Sequence, residues 1–236
     1  MSRFSVAPEV FERFPEYLVI AILVDDFVNA DELGRARELL AESIRLVVER
    51  LGTGDPKEFP AIAVWRQTFR RLGWSVSTYQ SSVEALLRRT LKGNPPPSIN
   101  PAVDLVNAAS LRFLVPIGAH DVDTVPAGLV VRASRPGDRF LPLGDAETEA
   151  PEPGEIVYAH GDEVRTRRWV WRQSRLGLVT PATRRLFVPI DAFVGVTEPA
   201  AREAADWLAE QFRTVLAARV TCRTVDRQHP TVEFGR

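Results

Sequence analysis

Apolar and polar positions along this chain follow two rhythms, and they place most of its elements. Residues 17–28 (YLVIAILVDDFV) are almost wholly aliphatic over the first eight, the length and composition of a strand buried on both faces. Asp31 then precedes Leu33, Ala36, Leu39, Leu40, Ile44, Val47, Val48 and Leu51, a helical stripe stopped by Gly52. Residues 59–72 repeat that rhythm, with Pro60 at the head, Gly73 past the end, and Ile62, Trp65, Phe69 and Leu72 on the inner side. Ser81 and Glu84 stand at capping-box spacing ahead of a third helix that ends at Gly93.

Asn94-Pro95-Pro96-Pro97 is a stiff extended connector. It divides the chain into a strand-and-helix lobe, residues 1–93, and a core, residues 94–236, too closely joined to fold apart. The core opens with Asn100-Pro101, an N-cap and first-turn pair. Asp104 and Asn107 follow on one face of an otherwise greasy helix. Two readings stand for that pair: bonding to neighbouring backbone, or lining a pocket.

Period-two stretches dominate from there. A strand is expected at residues 128–133, a turn at Pro136-Gly137-Asp138, and a further strand at 140–143. Residues 145–153 read as an acidic surface loop. Residues 156–159 and 164–171 read as a hairpin whose second strand alternates Arg165, Arg167, Trp169 and Trp171 against Arg168, Val170 and Arg172. Residues 183–194 form another apolar strand, interrupted by Asp191, and 199–216 an amphipathic helix. The polar tail after Asp226 reads as loosely ordered.

Composition narrows the class of function. The formal net charge is −1, so no global field draws the chain to nucleic acid or membrane. Between Arg66 and Lys92, however, six basic residues accompany one acid, with Phe69, Trp74 and Tyr79 interleaved. That pattern suits an RNA-binding face, and equally a solvated helix pair packed by its aromatics. The single cysteine, Cys222, rules out an internal disulfide framework and fits a cytoplasmic setting. The apolar run 18–24 is too short to span a bilayer. No phosphate-cradling glycine loop, nucleophile elbow or zinc spacing appears, so no metal or cofactor is expected.

Two motifs carry a resemblance. Val103, Asp104, Leu105 and Asn107, followed by Pro116, Ala119, Asp121 and Asp123, resemble the core of the B3/B4 domain, the editing module of bacterial phenylalanyl-tRNA synthetase beta subunits. The stretch EIVYAHGDEVRTRRWVWRQS is similar to free-standing relatives of that domain. The likeness implies an α+β fold: a B3/B4-like core of packed β-sheets with flanking helices, preceded here by the N-terminal strand and helical lobe. It also implies a pocket for the aminoacyl end of tRNA, in which a bound water attacks the ester without a protein nucleophile.

Carried over by position, Asn107 matches the family's pocket asparagine, and the pocket histidine falls on Gly118, with His120 two residues later as its substitute. Asp191 is the nearest match to the acid that reads a tyrosine hydroxyl in the family. The expected catalytic set is therefore Asn107, His120 and Asp191, with Asp104, Gly118 and Asp121 in the pocket. The expected RNA face comprises Arg66, Arg70, Arg88, Arg89, Arg167, Arg168, Trp169 and Arg172. Three functions remain open on this reading: an aminoacyl-tRNA deacylase, a non-catalytic tRNA or RNA binder, and a small-molecule protein that kept the pocket without tRNA.

Overall fold

A computed structural model describes residues 3–52 and 54–234. Among these, six helices and eleven strands occur. The first part of the chain runs through β1 (Arg3–Val6), α1 (Pro8–Arg13), β2 (Tyr17–Asp25), α2 (Arg35–Leu51), α3 (Pro60–Arg71) and α4 (Ser82–Leu91). The middle holds α5 (Pro101–Phe113), β3 (His120–Asp121), β4 (Leu129–Ala133), β5 (Arg139–Phe140) and β6 (Ile156–His160). It continues through β7 (Glu163–Arg167), β8 (Arg172–Gln173) and β9 (Leu186–Phe193), and closes with α6 (Glu198–Leu216), β10 (Arg219–Val225) and β11 (Thr231–Glu233).

The strands form two sheets, and the fold is α+β. One sheet has seven strands in the order β11-β1-β4-β6-β7-β5, with β8 added to β7; the other runs β10-β2-β9-β3. Strands from the first 93 residues therefore lie inside both sheets. The all-buried sequence of β2 follows from its place between β9 and β10. Tyr17, Val19, Ala21 and Leu23 point into the core shared with the larger sheet. Leu18, Ile20, Ile22 and Val24 pack under α5 and α6. The two-residue period thus sorts one greasy run between two cores, and it sorts β9 the same way: Phe187 and Phe193 face the larger sheet, while Leu186, Val188, Ile190 and Ala192 face the helices. Asp191 shares the parity of Phe187 and Phe193, which aims it between the sheets.

Local chemistry fixes the helix ends. Ser81 Oγ accepts from Glu84 N at 3.4 Å, and Asn100 Oδ1 accepts from Val103 N at 3.1 Å. Asn29 Nδ2 donates to Asn100 Oδ1 at 3.0 Å, tying the start of α5 to the loop after β2.

Three expectations need correction. The strand expected over residues 140–143 ends at Phe140, because β5 is only a short parallel partner of β7. The second hairpin strand does not reach Trp171. Arg168 and Trp169 take left-handed backbone, φ 44° and 65°, so β7 stops at Arg167 and the alternation is lost. The tail is ordered over the described residues: β11 pairs antiparallel with β1, and Phe234 is buried. Gly235 and Arg236 lie outside the described residues.

Candidate functional site

After α5 the chain turns back along β9. Gly118 N donates to Pro189 O at 2.9 Å and Asp191 N donates to Pro116 O at 3.1 Å, so residues 116–118 form an extra edge beside Asp191. β3 continues that edge and pairs His120 with Phe187. Across the gap, the larger sheet brings Tyr158 from β6, while the left-handed break after β7 drops Trp169 into the inter-sheet core. Between them opens a cleft of about 60 Å³, lined by residues of both sheets and their connections, with His120, Asp191, Gly118, Tyr158, Trp169 and Trp171 around it. By the volume one water occupies, that is room for roughly four to six waters.

Asp191 closes the deep end. Tyr158 Oη donates to its Oδ1 at 2.6 Å, and Tyr17 Oη donates to the same oxygen. Both of these bonds fall on Oδ1, and no cation pairs with the carboxylate among the described residues. Burial pushes the Asp191 pKa up to about 7, against the lowering effect of the two phenols and of the nearby Trp169 indole. The same burial, with the Asp191 charge, raises both phenols well above their ordinary range, so they act as donors.

His120 is buried and stacks on Tyr158, ring centroids 6.0 Å apart at 21°. Burial first, then the charge of Arg165, lowers its pKa to about 3, so the ring is neutral. Among the described residues its Nδ1 has no hydrogen-bond partner, and neither does Trp169 Nε1. Its Nε2 would lie 3.4 Å from a Cβ added at Gly118, which would also press on Pro189 Cγ at 3.1 Å. The absent side chain at position 118 is thus what leaves space beside the imidazole.

The left-handed pair is held from several sides. Left-handed backbone costs about 1–2 kcal/mol per residue outside glycine. Glu155 offsets this by accepting from Arg168 N at 2.7 Å and gripping Arg167 through Nε at 3.0 Å and Nη2 at 2.8 Å. The Arg168 guanidinium lies 3.7 Å from the Tyr79 ring centroid and bonds Glu152 at 2.6 Å. Trp169 then packs edge-on against Tyr17 at 4.6 Å and Trp65 at 5.6 Å.

Of the expected site residues, the cleft brings together His120, Asp191 and Gly118. Asn107 is a correction. It is half-buried on α5 and does not line the cleft, because α5 packs on the face of the smaller sheet that points away from Tyr17 and Asp191. Asp104 also stands elsewhere. Its carboxylate accepts from Ser98 Oγ at 2.5 Å and Ile99 N at 2.9 Å, closing the turn that precedes α5. Asp121 accepts from Thr183 Oγ1 at 2.6 Å and from Asp123 N at 3.0 Å, and it does not line the cleft.

The RNA face is corrected more heavily. Arg168 is 1% exposed and Trp169 0%, beyond reach of any nucleic acid. Arg167 is buried on Glu155 and Glu149, and buried Arg66 is paired with Glu84 at 2.6 Å. Arg88 shares Glu84 at 2.9 Å, and exposed Arg89 donates to the carbonyls of Asn94 and Pro95 at 2.9 and 3.4 Å. Arg70 is exposed and Arg172 half-buried, and these two make no ion pair among the described residues. Sequence reasoning missed Tyr17, Tyr158 and Trp171. Tyr17 had one signal, a lone phenol heading an aliphatic strand whose parity matches Asp191.

A two-sheet α+β protein with a small, acid-ended cleft between its sheets is the class this geometry defines. The B3/4 domain family model matches residues 64–211, well over half the chain, and the chain belongs to that family. It is also similar to an N-terminal fragment of the phenylalanyl-tRNA synthetase beta-subunit from Pyrococcus horikoshii, at 14% identity and a TM-score of 0.46, over 92% of this chain and 49% of the other. The chain therefore spans about half the length of that fragment. No curated protein matches it in sequence. Among the described residues no helix is long and apolar enough to cross a membrane, and no cluster of side chains suits a metal ion.

Proposed function

We propose that the cleft receives the aminoacyl end of a charged tRNA and hydrolyses its ester with a positioned water. One observation carries this: a neutral imidazole and a lone carboxylate, on neighbouring strands, open into a single small cleft. The water oxygen bonds to the ester carbonyl carbon, the bond from that carbon to the ribose oxygen breaks, and the ribose oxygen leaves with a proton from the water. His120 offers an uncharged hydrogen-bonding ring to that water, and Asp191 orients the acyl group. An activated ester needs little beyond such positioning. At about 60 Å³ the cleft is far below the roughly 300 Å³ or more of a typical small-molecule site, so it takes the acyl group and leaves the adenosine outside.

Deacylation of a panel of tRNAs, each charged with a different amino acid, tests this. Faster ester loss than buffer on one or a few of them is expected, reduced at least tenfold in His120→Ala and in Gly118→Leu, which fills the cleft. No loss above buffer on any of them overturns it.

A second reading has its own support. Arg66 and Arg167 are spent on buried acids and Arg168 is itself buried, which removes three members of the expected basic face and favours a small-molecule site without tRNA. Salt dependence separates the two. Phosphate contacts on single strands lower log affinity by about 0.7 per contact per decade of salt, whereas a small-molecule reading predicts no tRNA binding at all.

A further inference from the structure

The reading of the cleft as an acyl site does not say which group of the acyl part Asp191 holds, and the inference here rests on that reading. A buried carboxylate without a cation is costly. Asp191 is 2% exposed and no lysine, arginine or charged histidine pairs with it among the described residues. Its two phenol donors both fall on Oδ1, and neither they nor the nearby Trp169 indole carries a charge. No lysine or arginine lines the cleft among the described residues. The nearest one in effect, Arg165, lies behind His120 and is bound to Glu163 at 2.7 Å and to Thr124 O at 2.8 Å.

The rest of the wall is uncharged: the rings of Tyr158, Trp169 and Trp171 stand beside aliphatic residues and the neutral polar side chains of Ser82, Thr166 and Gln173. Tyr158 turns its hydroxyl to the carboxylate and its ring to His120 and Phe4, so the attraction for a cation comes from the carboxylate itself, which a confined site of low polarity strengthens. A substrate hydroxyl would add a hydrogen bond to the carboxylate but would leave its charge uncompensated.

We infer that Asp191, a buried carboxylate without a cation on the wall of this cleft, is a subsite for a primary ammonium group. The substrate class is then esters that carry a free α-amino group beside the scissile carbonyl, and N-acylated esters are rejected. Asp191 thereby serves binding rather than proton transfer. His120 alone contacts the water.

The test uses the full chain and three probes: ethylammonium, L-alanine methyl ester, and N-acetyl-L-alanine methyl ester. Titrations followed by the Asp191 carboxyl 13C resonance are expected to saturate with the first two and to show at least tenfold weaker response to the third. Sodium chloride at equal ionic strength is expected to leave the resonance in place. Asp191→Asn is expected to lose ethylammonium binding by at least tenfold. Should that variant fail to fold, the carboxyl titration in the unmodified chain decides alone. Equal binding of the N-acetyl ester, or an ethylammonium response no different from sodium chloride, overturns the inference. Ethylammonium needs no ester, so its binding without any tRNA deacylation would defeat only the hydrolytic reading. Deacylation indifferent to N-acetylation of the charged amino acid would defeat only the ammonium subsite.

Discussion

Tyr158 on the larger sheet donates a 2.6 Å hydrogen bond to Asp191 on the smaller one, across the core that joins them. The bond couples packing of the two sheets to the charge state of the cleft. Tyr158→Phe removes it while keeping the ring that stacks on His120.

That variant is expected to cost about 1–3 kcal/mol in denaturant unfolding, the usual penalty for stripping a buried acceptor of a partner. It is also expected to raise the Asp191 pKa further above about 7, because the phenols are what hold it down. A carboxyl 13C titration reads this directly. An unmoved pKa would mean that the phenol does not stabilise the carboxylate.

Stability against pH offers a second check, with two opposing slopes. Asp191 titrates at about 7 when folded against an ordinary 3.8, so it binds more protons folded than unfolded and stability falls as pH rises between those values. His120 titrates at about 3 against an ordinary 6.5, so it binds fewer protons folded and stability rises with pH between those values. Each contribution is on the order of 4 kcal/mol when fully developed, since every tenfold change in proton affinity is worth roughly 1.4 kcal/mol. From about pH 4 to 6.5 they cancel. The groups that face them are Tyr17, Tyr158 and Trp169 around Asp191, and Arg165 beside His120. Relative to the unmodified chain, Asp191→Asn is expected to gain stability as pH rises through that window, and His120→Gln to lose it. Parallel pH profiles for all three proteins would refute the burial of both groups.

A third prediction concerns the arginines. Glu155→Ala leaves Arg167 without its buried partner and the left-handed Arg168 without its backbone acceptor, and is expected to cost about 3–5 kcal/mol. Arg70→Ala, at an exposed position, is expected to change stability by under about 0.5 kcal/mol. Equal costs in chemical denaturation would place Arg167 at the surface instead.

What the chain's pattern made legible, and what it hid, divides along one physical line. β2, α3, α4 and α5 follow from local rhythm and caps, because Ser81, Asn100, Pro60 and Pro101 act on their own neighbours. Partnership across the sequence is hidden. Six basic residues between Arg66 and Lys92 look like a patch until Glu84 is seen to take both Arg66 and Arg88. Arg167 and Arg168 looked like a reading face because alternation was extended through a break that only tertiary packing of Trp169 and Tyr79 sustains. Asn107 sat on the right helix, yet which side of the smaller sheet that helix covers is a matter of layer order, and no local period reports it. Asp191 was legible as an oddity in an apolar strand, and its parity with Phe193 was enough to send it between the sheets.

The central claim is that the inter-sheet cleft, and not the Asn107 face of α5, takes the acyl group. Amide chemical-shift mapping with a non-hydrolysable 3′-aminoacylamino-3′-deoxyadenosine tests it most directly. Saturable shifts are expected at Gly118, His120, Trp171 and Gln173, absent in Gly118→Leu. Shifts centred on Asp104 and Asn107, with the cleft residues unmoved, would contradict it.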